Sequence, residues 1–356
     1  MFKLGKKEIG ANSPCFITFE AGPTHTGFDS AVRLIKMAAE TGADAVKFQI
    51  TDPDRLVADR KLPFSYEILV DRETGRTEKI EEPLYDILCR RVLSFVEYEK
   101  LKAISDSLGL AFFATVMFEE DLELAVKIGF ESLKIASADL NHLPFLRKAA
   151  QTGLSIQLDT GNSTIGEVEK AIDLVRHEGN EKIIIHHCPS GYPAHLESIN
   201  LNVIKTLGQM FPYPIAYSDH SPGWDMDVAA IAMGAKLIEK TITEDRMTPS
   251  VEHIMSLEPD DMIQFIKTIR DVETAMGVPR RLMSDVEMTK RNAVRRSVHA
   301  KFAISEGQVI TLADVDFRRP GFGLAPDVFD ELLCGKIATR NIPSGEALKF
   351  TDFMIN

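Results

Sequence analysis

Ser218, Asp219 and His220 stand in a row at the end of an apolar run, in the segment SDHSPG, and place a hydroxyl, a carboxylate and an imidazole within three residues. Side chains of these types can donate to an anion, move a proton or hold a metal ion. Two lysines, Lys47 in DAVKFQ and Lys134 in SLKIAS, lie inside other apolar runs, where an ammonium is costly to bury unpartnered. Two ammonium groups with Ser137 and Ser218 nearby can together grip a phosphate and a carboxylate. Each lysine also has a plainer use, snorkelling outward or pairing with a structural carboxylate. Each serine can likewise finish its strand by bonding local backbone.

Eight short apolar runs carry these residues at their ends. CFITFE closes at Glu20, DAVKFQ at Gln49, LAFFAT at Thr115 and SLKIAS at Ser137; LSIQLDT, KIIIHHC, YPIAYSD and KLIEKT then close at Thr160, Cys188, Asp219 and Thr241. Helical patterns lie between them. Over 29–41, Val32, Ile35, Ala38 and Ala39 form one apolar face and Gly42 supplies a stop. Strand then helix, repeated, predicts an α/β fold, a (β/α)8 TIM barrel whose chemistry sits at the C-terminal strand ends. Parallel strands are covered on both faces, which accounts for continuous rather than alternating apolar runs.

Two stretches break the repeat. Residues 51–90 are long and charged, which suits a lid or binding loop, or a solvated excursion. After Met276 the pattern gives way to short strands and turns. The expected organisation is a catalytic barrel over 1–275, a linker over 276–295 and a small domain over 296–356.

Composition narrows the function. A formal net charge of -12 disfavours nucleic acid or an anionic membrane as partner, so an anionic substrate needs a locally basic pocket. The four cysteines have no CxxC spacing, which indicates neither a disulfide framework nor a structural zinc site. The first residues, MFKLGKKEIGANSPCF, lack the apolar core of a secretory signal, and the expectation is a cytoplasmic protein.

Taken in order, FEAGPTHTG, DAVKFQ, LKIASADLNHLP, HHCPSGYP and YSDHSPG resemble the strand motifs of the sialic acid synthases and their relatives that make nonulosonic acids. The stretch KFAISEGQVITLADVDFRRPGFG resembles that family's C-terminal antifreeze-like domain. The resemblance implies condensation of phosphoenolpyruvate with an open-chain N-acetylhexosamine aldehyde, of the N-acetylmannosamine kind, giving a 2-keto-3-deoxy sugar acid and phosphate. It implies a phosphoenolpyruvate cradle of Lys47, Lys134, Ser137, Ser190 and Ser218, with Glu20 and His220 as catalytic residues. Gln49, Asp139, Tyr192 and Glu252 would face the sugar. Arg319, in RRPGFG, would reach the partner's sugar site across a domain-swapped homodimer. Local uses compete at several of these positions: Glu20 can pair with a lysine, Tyr192 can pack under its loop, and Ser190 and Asn141 can bond backbone. His25 also matches a motif position, where a structural role is the alternative, and Arg295 and Arg296 read as linker charges.

The resemblance further implies a divalent cation, Mn2+ or Mg2+, held by His220 and a second histidine at the end of the eighth strand. That second position is Thr241, a poor ligand, with Asp219, Glu239, Glu252 and His253 as substitutes. Asp159 stands where a serine is usual and Asp139 where a glutamate is usual. The chain is therefore expected to be a phosphoenolpyruvate-dependent synthase. The alternatives are a synthase using another or a phosphorylated aldose, or a sugar-binding protein without catalysis.

Overall fold

The computed structural model describes residues 2–10 and 13–354. The chain divides into two compact units, Met1–Gly277 and Val278–Asn356. In the first, eight parallel strands close into a barrel: β1 (Phe16–Glu20), β2 (Ala45–Gln49), β3 (Ala111–Thr115), β4 (Ser132–Ile135), β5 (Ser155–Asp159), β6 (Ile183–His187), β7 (Ile215–Asp219) and β8 (Leu237–Thr241). All eight lie within the runs read from sequence. The register sets Glu20 beside Lys47 on one side and Thr241 on the other, Ser218 beside Glu239, and Asp159 beside His186.

Helix α1 (Phe28–Thr41) follows β1 and ends at Gly42, whose φ of 86° is the left-handed conformation that glycine adopts without a Cβ penalty. Its buried face is Ala31, Leu34, Ile35 and Ala38, while Val32 and Ala39 are only partly covered. The apolar face is thus turned by about one residue from the expected one, with Ala31 and Leu34 buried in place of Val32 and Ala39.

Residues 51–90 are a folded wall rather than a loop. A short helix (Pro53–Leu56) leads into an antiparallel hairpin, Pro63–Asp71 with Arg76–Pro83, and a second short helix (Leu84–Cys89). Tyr66 and Ile87 bury against Val251, with Phe64, Ile68 and Ile80 packed around them. Arg72 ties the hairpin to Glu258 at 2.6 Å and to Asp245 at 2.8 Å. The acidic and basic side chains hid this apolar seam from a reading by composition.

The second unit builds its own core from Val298, Ala300, Ile310, Phe329, Leu348 and Phe353 under a two-stranded sheet, Ser297–Ala300 with Val315–Arg318. The stretch expected to be a linker contains a helix, Asp285–Val294, which Ser284 and Glu287 cap reciprocally. All four cysteines are free. No helix among the described residues is long and apolar enough to cross a membrane.

Candidate active site

The C-terminal strand ends surround a cavity of about 290 Å³. Glu239 of β8 organises its floor. One carboxylate oxygen accepts from Lys47 Nζ at 2.9 Å and from Ser218 Oγ at 3.0 Å; the other accepts from Lys134 Nζ at 2.6 Å. Lys47 also donates to Glu20, whose other oxygen accepts from the Gly22 backbone N–H at 2.7 Å. Gly22 is obligatory there, since a Cβ would come within 2.7 Å of the Gln49 nitrogen. Lys134, wholly buried, further contacts Asp159 at 3.0 Å and His186 Nδ1 at 3.3 Å. His186 Nε2 in turn meets the Gln157 carbonyl oxygen at 2.8 Å, which fixes its proton on that nitrogen. Neither lysine snorkels; both take the paired arrangement, inside the cavity floor.

This crowding separates the protonation states. Burial works against the Lys47 ammonium, yet Glu20 and Glu239 outweigh it and hold its pKa above the usual lysine value. Burial also favours neutral Glu239, but Lys134 and Lys47 prevail and keep it well below the ordinary carboxylate range. Asp159 goes the other way: burial, opposed by Lys134 and reinforced by Glu239, pushes it up to about 6. Burial likewise brings Glu252, at the cavity wall, to about 7. Below about pH 6, with Asp159 and Glu252 both protonated, Lys47, Lys134 and Arg91 outnumber Glu20 and Glu239; above it Asp159 offsets that surplus.

His220 stands at the rim. Its Nδ1 faces the Pro189 carbonyl at 3.2 Å, its ring lies 4.8 Å from that of Tyr192, and burial lowers its pKa to about 4. It is therefore neutral near pH 7, with the Nε2 lone pair free. Glu252 has a positive φ of 75°, an unfavourable backbone conformation for a residue with a Cβ, and strain of this kind gathers at ligand sites. Gly161, after β5, lets the neighbouring loops close in: a Cβ there would sit 2.7 Å from the Cys188 carbonyl and 3.2 Å from both Ser137 and Ser190.

Of the residues singled out from sequence, Glu20, Lys47, Gln49, Ser137, Tyr192, His220 and Glu252 line this cavity. Lys134 and Ser218 lie just beneath it, bonded to Glu239. Ser190 and Asn141 are exposed, Asp139 is half-buried in the turn after β4, and none of the three lines the cavity. His25 is buried against Phe48. Arg319 is exposed in the second unit. The triplet at 218–220 does not act as a group. Strand alternation sends Asp219 to the outer face of β7, where Lys240, Tyr217 and Ser221 engage it. Of the other substitute ligands, Glu239 is committed to the lysines, and His253 Nδ1 pairs with Thr243 at 2.8 Å. Sequence reasoning missed the central place of Glu239, although a charged residue inside a strand was the same signal that marked the lysines. It also missed His186 and Arg91.

A larger groove of about 1130 Å³ lies where the strands begin, lined by Lys7, Asp44 and Arg270 among others. Three of these charges are paired with one another or a neighbour, Lys7 with Asp44 and Arg270 with Asp44 and Glu273.

A closed barrel whose C-terminal strand ends gather buried lysines, carboxylates and a neutral histidine around one cavity has the layout of a barrel enzyme. Residues 34–281 match the NeuB family and residues 295–354 the SAF domain. The chain belongs to the NeuB family, whose sialic acid synthase type of enzyme it represents. It is 33% identical to the N,N'-diacetyllegionaminic acid synthase of Legionella pneumophila, over 97% of this chain and 96% of that protein. It is 31% identical to the human N-acetylneuraminate-9-phosphate synthase over 85% of this chain and 83% of the relative. Among solved structures, the N-acetylneuraminic acid synthetase of Leptospira borgpetersenii, in complex with citrate, superimposes with a TM-score of 0.70 at 29% identity, covering 82% of this chain and 96% of that one.

Proposed function

We propose that the protein condenses phosphoenolpyruvate with the aldehyde of an open-chain amino sugar, of the N-acetylhexosamine class, to give a nonulosonic acid and phosphate. Two buried ammonium groups bridged by Glu239 at one barrel mouth are the observation that carries this reading. They can exchange part of their pairing for the phosphate and carboxylate of the substrate, with Ser137 and Ser218 donating further. C3 of phosphoenolpyruvate attacks the aldehyde carbon, and the aldehyde oxygen takes up a proton. Water adds to the resulting cation at C2, and the adduct collapses to the ketone as phosphate leaves. In this reading Glu20, which accepts from Lys47 and Gln49, takes the proton from that water.

On this reading a divalent cation is held loosely, by His220 and a deprotonated Glu252. His220 offers a neutral imidazole nitrogen and Glu252 a carboxylate in the same cavity, and Thr241 only hydrogen-bonds Glu252, at 3.5 Å. When bound, such a cation would polarise the aldehyde oxygen. The working unit of this reading is a homodimer in which Arg319 serves the partner's site.

Phosphate release requiring both phosphoenolpyruvate and the amino sugar, with the coupled product seen by mass spectrometry, tests the proposal. Binding of sugar without any release of phosphate would make the protein a sugar-binding relative instead.

A further inference from the structure

Arg91 is 5% exposed and lines the cavity from the wall that precedes helix α2 (Phe95–Leu108). Its Nε and Nη2 are buried with no hydrogen-bond partner in the protein. The nearest carboxylate, Glu252, lies 3.9 Å from Nη1, beyond hydrogen-bonding distance. The other carboxylate acting on it, Glu20, is taken up by Lys47. A guanidinium is a planar fork of donors, and leaving it buried and unmatched is costly unless a ligand completes it.

Resting on the condensation reading above, we propose that Arg91 anchors an anionic substituent of the acceptor sugar, a phosphate or a carboxylate at the end remote from the aldehyde. The aldehyde carbon must meet phosphoenolpyruvate above the floor lysines, which turns the far end of the sugar toward the wall. On that reading Lys47, Lys134 and the serines, gathered around Glu239, take the charges of phosphoenolpyruvate. Arg91 is the cavity's remaining cation among the described residues, and its flat donor edge matches two oxygens of one anion.

The test uses alditols, which lack the aldehyde and cannot react: N-acetylmannosaminitol, its 6-phosphate and its 6-carboxylate, each titrated calorimetrically into protein saturated with phosphoenolpyruvate. In the wild type an anionic alditol should bind at least about tenfold tighter than the neutral one, and whichever anion is tighter identifies the source. Arg91→Gln should weaken the anionic probe about thirtyfold, leave the neutral probe within about threefold, weaken phosphoenolpyruvate less than the anionic probe, and not lower the melting temperature. Arg91→Leu serves if the glutamine variant is unstable, and Arg91→Lys should retain part of the preference. Equal binding of neutral and anionic probes in the wild type would overturn the inference. So would equal losses for both probes in the variants, which would make Arg91 merely a neighbour of Glu252, or a loss confined to phosphoenolpyruvate. Phosphate release assayed in parallel bears on the condensation itself, because the alditol comparison needs no turnover.

Discussion

The Asp159 carboxylate lies 3.0 Å from the Lys134 ammonium, an ion pair at the edge of the cavity in which Lys134 is shared with Glu239. Below about pH 6 this side chain is neutral; above, it is a carboxylate competing with the substrate phosphate for Lys134. Replacing it should therefore matter more as pH rises. Asp159→Asn is expected to tighten phosphoenolpyruvate about tenfold at pH 8, or about 1.4 kcal/mol, and to change it little at pH 5. The stability effect has the same sign. A carboxyl with a raised folded-state pKa contributes most below its unfolded value near 3.9, and that contribution fades as pH climbs through about 6. Calorimetric affinities with the same ratio at both pH values would sink the assignment.

The lysines neutralise Glu239, and the proposed reading gives them a second duty, gripping the substrate; the two can be separated. Lys134→Met removes one of the two ammonium groups on that buried carboxylate, which should cost about 3 kcal/mol of stability. It should also weaken phosphoenolpyruvate about thirtyfold. Adding Glu239→Gln should recover much of the melting temperature and none of the affinity. Recovery of both would show that Lys134 acts only through Glu239.

The strands were legible because a buried parallel barrel forces apolar runs that end where chemistry begins, as at Glu20 and Gln49. Lys47 and Lys134 could be found for the same reason: a charge inside such a run has to be answered by a partner. The partner itself was not legible. Glu239 meets Lys134 across 105 residues of chain, and only barrel closure brings them to 2.6 Å. Arg91 gave even less signal, since it sits in a charged insert where one more arginine is unremarkable until Tyr66 and Ile87 bury the wall around it. Asp219 misled by adjacency. Consecutive strand residues point to opposite faces, so a neighbour in sequence was not a neighbour in the site.

Arg319, exposed in the second unit and followed by Pro320 and Gly321, offers a test of assembly. If it serves a partner's cavity, Arg319→Ala and Lys134→Ala chains are each inactive alone. Mixed under exchange conditions, they should recover activity by forming one site with both wild-type residues, up to about a quarter of the wild-type level on random pairing. Verified heterodimers with no activity would confine Arg319 to its own chain, or remove it from the reaction.

The cation is the sharpest remaining test, because Thr241 occupies the position where the resemblance implies a histidine and is buried with its hydroxyl turned to Glu252. A single imidazole supported by one carboxylate is a weak site for Mn2+. Manganese should bind measurably, by electron paramagnetic resonance, and His220→Ala should abolish that binding. Thr241→His adds a nitrogen donor on the strand end beside Glu20 and should tighten the metal at least about tenfold. If a cation polarises the aldehyde as proposed, chelation should lower kcat while phosphoenolpyruvate affinity, assigned in that reading to Lys47 and Lys134, stays unchanged. Full turnover after exhaustive chelation, with no response to added manganese or magnesium, would remove the metal and leave His220 to hydrogen-bond the aldehyde oxygen directly.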